Sequence, residues 1–300
     1  MSESIEKINN AETGTKEDVL LHENTNVPAH EKEEVSHEIT LFAEPVAHIG
    51  NFQITNALIN GWITAFVLVL FFIYIGRKVK NIPKGAQNLF EIILEQAISL
   101  TDTVTGDRKK SEKFLPIVLS LFLFVLISNW IGILPGVGTV GFIESGHGEN
   151  IFVPYLRGST ADLNTTLAIS LFAVVGSHIF GVMTIGVWNH LNKFLNFKAL
   201  FEIPKKFRNE PTIILVNPIK IFVGLVEIIG EFAKVASLSF RLFGNIFAGE
   251  VLLASMMAIF AYILPLPFIF LEIIVGIIQA LIFAMLTLVF MTIATSAEEH

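Results

Sequence analysis

Five stretches of this chain stay apolar for about 20 residues or more, and that decides most of what it can fold into. They run from about Ile54 to Gly76, Phe114 to Leu134, Leu163 to Trp188, Ile213 to Ile263 and Phe268 to Thr295. About 20 helical residues cross the hydrocarbon core of a bilayer, and inside it each backbone N–H and C=O must be bonded within the segment. The expected fold class is therefore all-α, a polytopic integral membrane protein with about five membrane helices. Composition agrees: 53% of residues are hydrophobic and only 16% charged, with a mean hydropathy of +0.66. A soluble domain carries about 25% charged residues.

Between the first two spans, Arg77, Lys78 and Lys80 stop the apolar run. The segment 83–104 then interleaves Phe90, Ile92, Ile93, Leu94, Ala97 and Ile98 with Glu91 and Glu95, the pattern of an interfacial helix. The run 213–263 is too long for one upright span. As a single helix it would extend about 75 Å, so it must be strongly tilted or broken, with Pro218 as the candidate break. Leu264-Pro265-Leu266-Pro267 is the expected turn into the last helix, which makes the C-terminal part a long helical hairpin.

Charge is unevenly placed. Residues 1–44 hold 11 acids against 3 lysines, while the rest of the chain holds 16 acids against 17 lysines and arginines. The net charge of -7 thus belongs to the tail, and nothing in it points to nucleic acid. The tail 1–44 reads as a disordered acidic segment ahead of a membrane domain, 45–300. Its first residues lack the apolar core of a signal peptide and are too acidic for a transit peptide, which favours a bacterial cell (plasma) membrane. Eight basic residues in the 77–113 connection and five in 190–211 face one in 136–160, Arg157. Basic loops stay cytoplasmic, so the N-terminus is expected outside and the C-terminus in the cytoplasm. The chain has no cysteine, its histidines show no metal-ligand spacing, and no GxxxxGK phosphate loop is present. No metal or cofactor is expected, and ATP binding by this chain is not expected either.

The polar residues of the last two helices carry the chemistry. On a helix through 220–263, Glu227, Glu231, Lys234, Leu238, Arg241 and Asn245 fall within about 40° of one line. Glu250 points to the opposite side, and on the last helix Glu272 and Gln279 share a face. A hairpin centred on 264–267 would set Gln279 level with about residue 253, near Glu250, and Glu272 level with about residue 260. A Glu250–Glu272 meeting would then need a staggered crossing; if it occurs, the two carboxyls suit a proton relay. A buried charge costs at least about 2.5–3.5 kcal/mol at bilayer depth. Glu231 and Lys234, three residues apart, can offset it by pairing. Arg241 has only Ser237, Leu238, Gly244 and Asn245 within helical reach, so its carboxylate is expected on another helix or another chain.

Ser237-Leu238-Ser239-Phe240-Arg241-Leu242-Phe243-Gly244-Asn245, with Ala248-Gly249-Glu250, resembles the signature of subunit a of the F-type ATP synthase. Ser128-Asn129-Trp130-Ile131-Gly132-Ile133-Leu134-Pro135-Gly136, Thr160-Ala161-Asp162-Leu163-Asn164-Thr165-Thr166 and Ile278-Gln279-Ala280-Leu281-Ile282-Phe283 are similar to other parts of that family. The resemblance spans roughly 45–300. It implies a stator that passes protons to a rotating ring of c subunits, with the C-terminal hairpin packed against that ring. It also implies a b-subunit peripheral stalk and the other synthase subunits as partners. Arg241 would face the carboxylate of the ring, Asn245, Glu250, Glu272 and Gln279 would line the proton path, and Glu227, Lys234 and Asp162 are candidate secondary channel residues. Asp162 also stands where a helix N-cap is expected. Two positions depart from the family pattern: Gly158-Ser159 replaces a common proline, and glutamate occupies both 250 and 272, where a carboxylate–histidine pair is common. A sodium-coupled motor, a self-contained secondary transporter and a scaffold of buried ion pairs are the competing readings. Against the transporter stands the lack of any repeat between the two halves.

Overall fold

The computed structural model describes residues 40, 42–77, 85–146, 149–195 and 213–296. The acidic tail up to residue 39, Lys78, Lys80, His147, the connector 196–212 with Lys198, Lys205, Lys206 and Arg208, and Ala297–His300 lie outside them. The described helices are α1 (Asn56–Arg77), α2 (Ala86–Thr105), α3 (Arg108–Ile133), α4 (Leu163–Ile185), α5 (Val187–Leu195), α6 (Ile213–Ile259) and α7 (Pro265–Thr295). Five of them, α1, α3, α4, α6 from Phe222 onwards, and α7, are long and apolar enough to cross a membrane. α2 is not among these five.

Several helix ends depart from the expected ones, each for a local reason. α3 begins six residues before Phe114, because Asp107 caps it by accepting a hydrogen bond from the Lys109 amide at 2.9 Å. The Asp107–Lys110 run is thus a cap and first turn rather than a connector. α4 stops at Ile185, where Gly186 takes φ 90°, and the chain restarts as α5. α6 runs unbroken through Pro218 over 47 residues, about 70 Å, so the alternative of a break there is set aside. The turn between α6 and α7 falls at 260–264 instead of 264–267. Pro265 and Pro267 belong to the start of α7, where a missing N–H costs nothing and φ is already helical.

Short strands form small hairpins. β1 (Pro45–Ile49) pairs antiparallel with β2 (Phe52–Thr55), joining Ile49 to Phe52. β3 (Pro135–Gly138) is followed by β4 (Gly141–Gly146) and β5 (Glu149–Pro154), which pair with each other. The connection 136–160, glycine-rich in sequence, is therefore largely a hairpin rather than an open loop. The chain divides into two compact units, one of which has the hairpin tip 143–152 as its described part.

In the helical unit, α3, α4, α6 and α7 enclose the core. Leu121 and Val125 of α3, Ala173 and Val174 of α4, Leu238, Leu242 and Ile246 of α6, and Ala280 and Phe283 of α7 pack together. Phe114, Val118, Ala284, Leu288 and Met291 form a second α3–α7 cluster. α1 attaches by a polar seam: Asn56, Asn60 and Thr64 are fully buried at four-residue spacing. Asn56 Nδ2 donates to the Pro154 carbonyl (3.2 Å) and Asn60 Nδ2 to that of Arg157 (2.9 Å). Where the solvent is hydrocarbon, such bonds and close packing hold helices together. The outward side is apolar, with Phe66, Phe172, Phe232 and Phe270 all exposed, as lipid contact demands.

Candidate functional site

Arg241 sits near the middle of α6, half-buried. Its Nη2 donates to Ser237 Oγ at 3.3 Å, one turn back on the same helix. Among the described residues no carboxylate pairs with it. Leu238, Leu242, Gln279 and Phe283 line a small hollow with it, so Gln279 of α7 stands beside Arg241 rather than near Glu250. Ser237, Gly244, Asn245 and Ala248 are exposed on the same helix, at positions spaced three, four and seven from Arg241. They form an open face of small and polar groups around one cation.

The hairpin stagger explains the shift of Gln279. With the turn at 260–264, a symmetric hairpin sets Glu272 level with about residue 252 and Gln279 level with about residue 245. The Glu272 carboxyl instead lies on Gly249, where an added Cβ would overlap it. The Glu272 carboxyl thus reaches about three residues, about 4.5 Å, further along α6 than a symmetric hairpin would set it. Gly249 makes the position possible, because it leaves a notch into which the buried Glu272 fits.

Glu250, the neighbour of that notch, has a partner that sequence reasoning missed. Arg157 is 5% exposed and its Nη2 meets Glu250 Oε2 at 2.8 Å. Its Nε donates to both carboxylate oxygens, at 3.1 and 3.2 Å. Its remaining N–H groups reach the carbonyls of Thr40 (2.8 Å) and Phe42 (3.2 Å) and the Thr40 hydroxyl (3.4 Å). A guanidinium with every edge engaged is a rigid clamp. The sequence signal was faint: Arg157 is the one basic residue of 136–160, five residues before Asp162. Asp162 caps α4 through Thr165 N (3.1 Å) and Oγ1 (3.0 Å), and its other oxygen accepts from Ala43 N at 3.4 Å.

Towards the N-terminal end of α6, Glu227, Glu231 and Lys234 line a hollow closed by α4, α5 and α7. Lys234 Nζ donates to Glu231 Oε1 at 2.7 Å and stands 5.2 Å over the Phe290 ring. The polar line read from the sequence is thus divided. Its first three members line this hollow, Leu238 is core, Arg241 borders α7, and Asn245 is exposed. Among the described residues, Asn129 serves packing: it donates to the Gly276 carbonyl (3.2 Å) and accepts from Thr160 (2.7 Å), tying α3 to α7.

A family profile described as ATP synthase A chain matches residues 58–292. ATP synthase subunit a of Syntrophobacter fumaroxidans is 31% identical over 258 residues, covering 86% of this chain and 90% of that protein. ATP synthase subunit a of Moorella thermoacetica is 28% identical over 247 residues, 82% of this chain and 93% of that protein.

Proposed function

The chain belongs to the ATP synthase A chain family, and from that premise we propose that it is the proton-conducting stator, with Arg241 facing the carboxylates of a rotating c ring. The observation that carries this reading is the setting of Arg241: a cation on an open helix face, without a carboxylate partner among the described residues. A neighbouring chain can supply that partner. Arginine suits the role because its pKa above about 12 keeps it from handing on a proton. It attracts an ionised carboxylate by about 4 kcal/mol at 4 Å and an effective dielectric of 20. An emptied carrier is thereby favoured beside Arg241, while a direct leak between the two sides is blocked.

Protons reach the ring through two half-channels. The outer one runs by Glu250, held by Arg157, and by Glu272 in the Gly249 notch, towards Asn245 and Gln279; Asp162 lies at its edge. The inner one runs by Glu227, Glu231 and Lys234. The basic connections favour a cytoplasmic N-terminal end of α6, with the N-terminus outside and the C-terminus inside. A b-subunit stalk holds the chain still while the ring turns. The membrane field contributes about 2.3 kcal/mol per charge per 100 mV.

The chain has no cysteine, which gives a clean test. In the assembled synthase, Ser237→Cys, Gly244→Cys and Ala248→Cys should cross-link to single-cysteine c subunits, and Phe66→Cys on the exposed side of α1 should not. Equal cross-linking at Phe66→Cys, or none from the α6 positions, contradicts the docking face. Glu250→Gln and Glu272→Gln should each slow ATP-driven proton pumping by roughly 10-fold without abolishing it, less than the roughly 100-fold or more of a general acid or base in a chemical step. Loss of the subunit from the membrane in either variant would speak for a scaffold of ion pairs instead.

A further inference from the structure

Two histidines without an assigned role meet at the hollow on α6. His178 comes from α4 and His190 from α5, across the turn at Gly186. His178 Nδ1 lies 3.1 Å from His190 Nε2, and His178 Nε2 lies 3.2 Å from Glu231 Oε2. The other Glu231 oxygen is held by Lys234 at 2.7 Å. The four side chains thus form one hydrogen-bonded line across three helices. Gly181, one turn along α4 from His178, leaves room for it: a Cβ there would stand 2.7 Å from the His190 ring. The hollow that these groups line has room for about one water. Among the described residues, the charged or titratable groups facing the pair are Glu227, Glu231 and Lys234 of α6. α7 contributes Phe290, Ile293 and Ala294, none of which titrates. Lys234 stands seven residues before Arg241, about 10 Å along the same face of α6.

We propose that His178 and His190 are a proton relay at the head of the inner path, passing protons between the cytoplasmic side and Glu231. The inference rests on the stator reading above. The hydrogen bonds define the transfer. With Glu231 ionised, His178 donates from Nε2 and therefore accepts at Nδ1 from the His190 Nε2–H. A proton delivered to His190 Nδ1, an atom buried beside Gly181, lets the Nε2 proton move to His178 Nδ1, and the His178 Nε2 proton moves to Glu231. One N–H forms and one breaks on each ring, and one O–H forms on Glu231. Reversal gives the opposite direction, and a second transfer in the same direction requires each ring to return its proton from Nδ1 to Nε2 first. Mere packing would need no such alignment of both ring nitrogens of His178.

The test uses inverted membrane vesicles carrying the whole synthase, in which the medium bathes the cytoplasmic side. ATP-driven pumping is followed as medium pH is stepped from about 5.5 to 8.5. The native complex sets the reference profile. At matched complex abundance, His178→Asn and His190→Asn should each change the shape of that profile and pump several-fold more slowly at pH 7. Imidazole in the medium should restore part of the rate to His190→Ala, whose vacated site beside Gly181 can hold it. A native rate and profile in both histidine variants overturns the relay, and so does a loss in His190→Ala that imidazole leaves untouched. Arg241→Gln separates the two readings. If it still pumps, the stator reading fails. If it does not pump while the histidine variants keep the native profile, the relay alone fails.

Discussion

Arg241→Ala is expected to reduce gradient-driven ATP synthesis to background while leaving an assembled complex in the membrane. Arg241 contributes little to packing, since among the described residues its hydrogen bond is to Ser237 of its own helix, at 3.3 Å. The helix around it is anchored by other groups: Leu238 and Leu242 are buried in the core, and Ser239 shares a buried hydroxyl bond with Thr166 of α4 at 3.1 Å. Assembly should therefore survive. What disappears is the fixed charge. An ionised carrier beside Arg241 loses about 4 kcal/mol of attraction, roughly a thousandfold in its population there. Arg241→Lys should not restore full coupling, because a buried lysine can give up its proton where a guanidinium cannot. Synthesis rates in sealed vesicles, normalised to complex abundance, check both variants.

Arg157→Gln should have the second-largest effect, and on stability as well as on transport. The substitution removes the cation from Glu250 and leaves the Thr40 and Phe42 carbonyls without their donor. Breaking a buried pair from one side costs about 3–5 kcal/mol. Glu250 is 33% exposed, so solvent offsets part of that, and about 2 kcal/mol is the expected loss. The solubilised complex should release this subunit at a lower temperature, and pumping should slow because Glu250 is no longer held. Arg157→Lys, which keeps charge but not the forked geometry, should fall between. An unchanged release temperature would mean that the clamp carries no weight.

The parts legible in the sequence were those governed by local physics. The need for about 20 apolar residues per crossing marks the five spans whatever their partners are. Arg241 is conspicuous because no residue within a helical turn can neutralise it. Contacts between distant segments were not legible. Arg157 and Glu250 are 93 residues apart, and neither stands near the other in any periodic pattern. The histidine pair depends on Gly186 turning the chain and on Gly181 admitting a ring, neither of which a metal-ligand search would notice. The hairpin stagger was misjudged because prolines suggest turns, although proline also starts helices well. Moving the turn to 260–264 and letting Gly249 receive Glu272 changes which polar groups meet.

The stator mechanism requires Arg241 in the ion path. Its most direct test is ATP-driven acidification of inverted membrane vesicles, comparing the native chain with Arg241→Gln at equal abundance of assembled complex. Acidification should disappear while the complex stays assembled. Acidification at the native rate would mean that Arg241 only holds helices together, and the stator mechanism built on it would have to be abandoned.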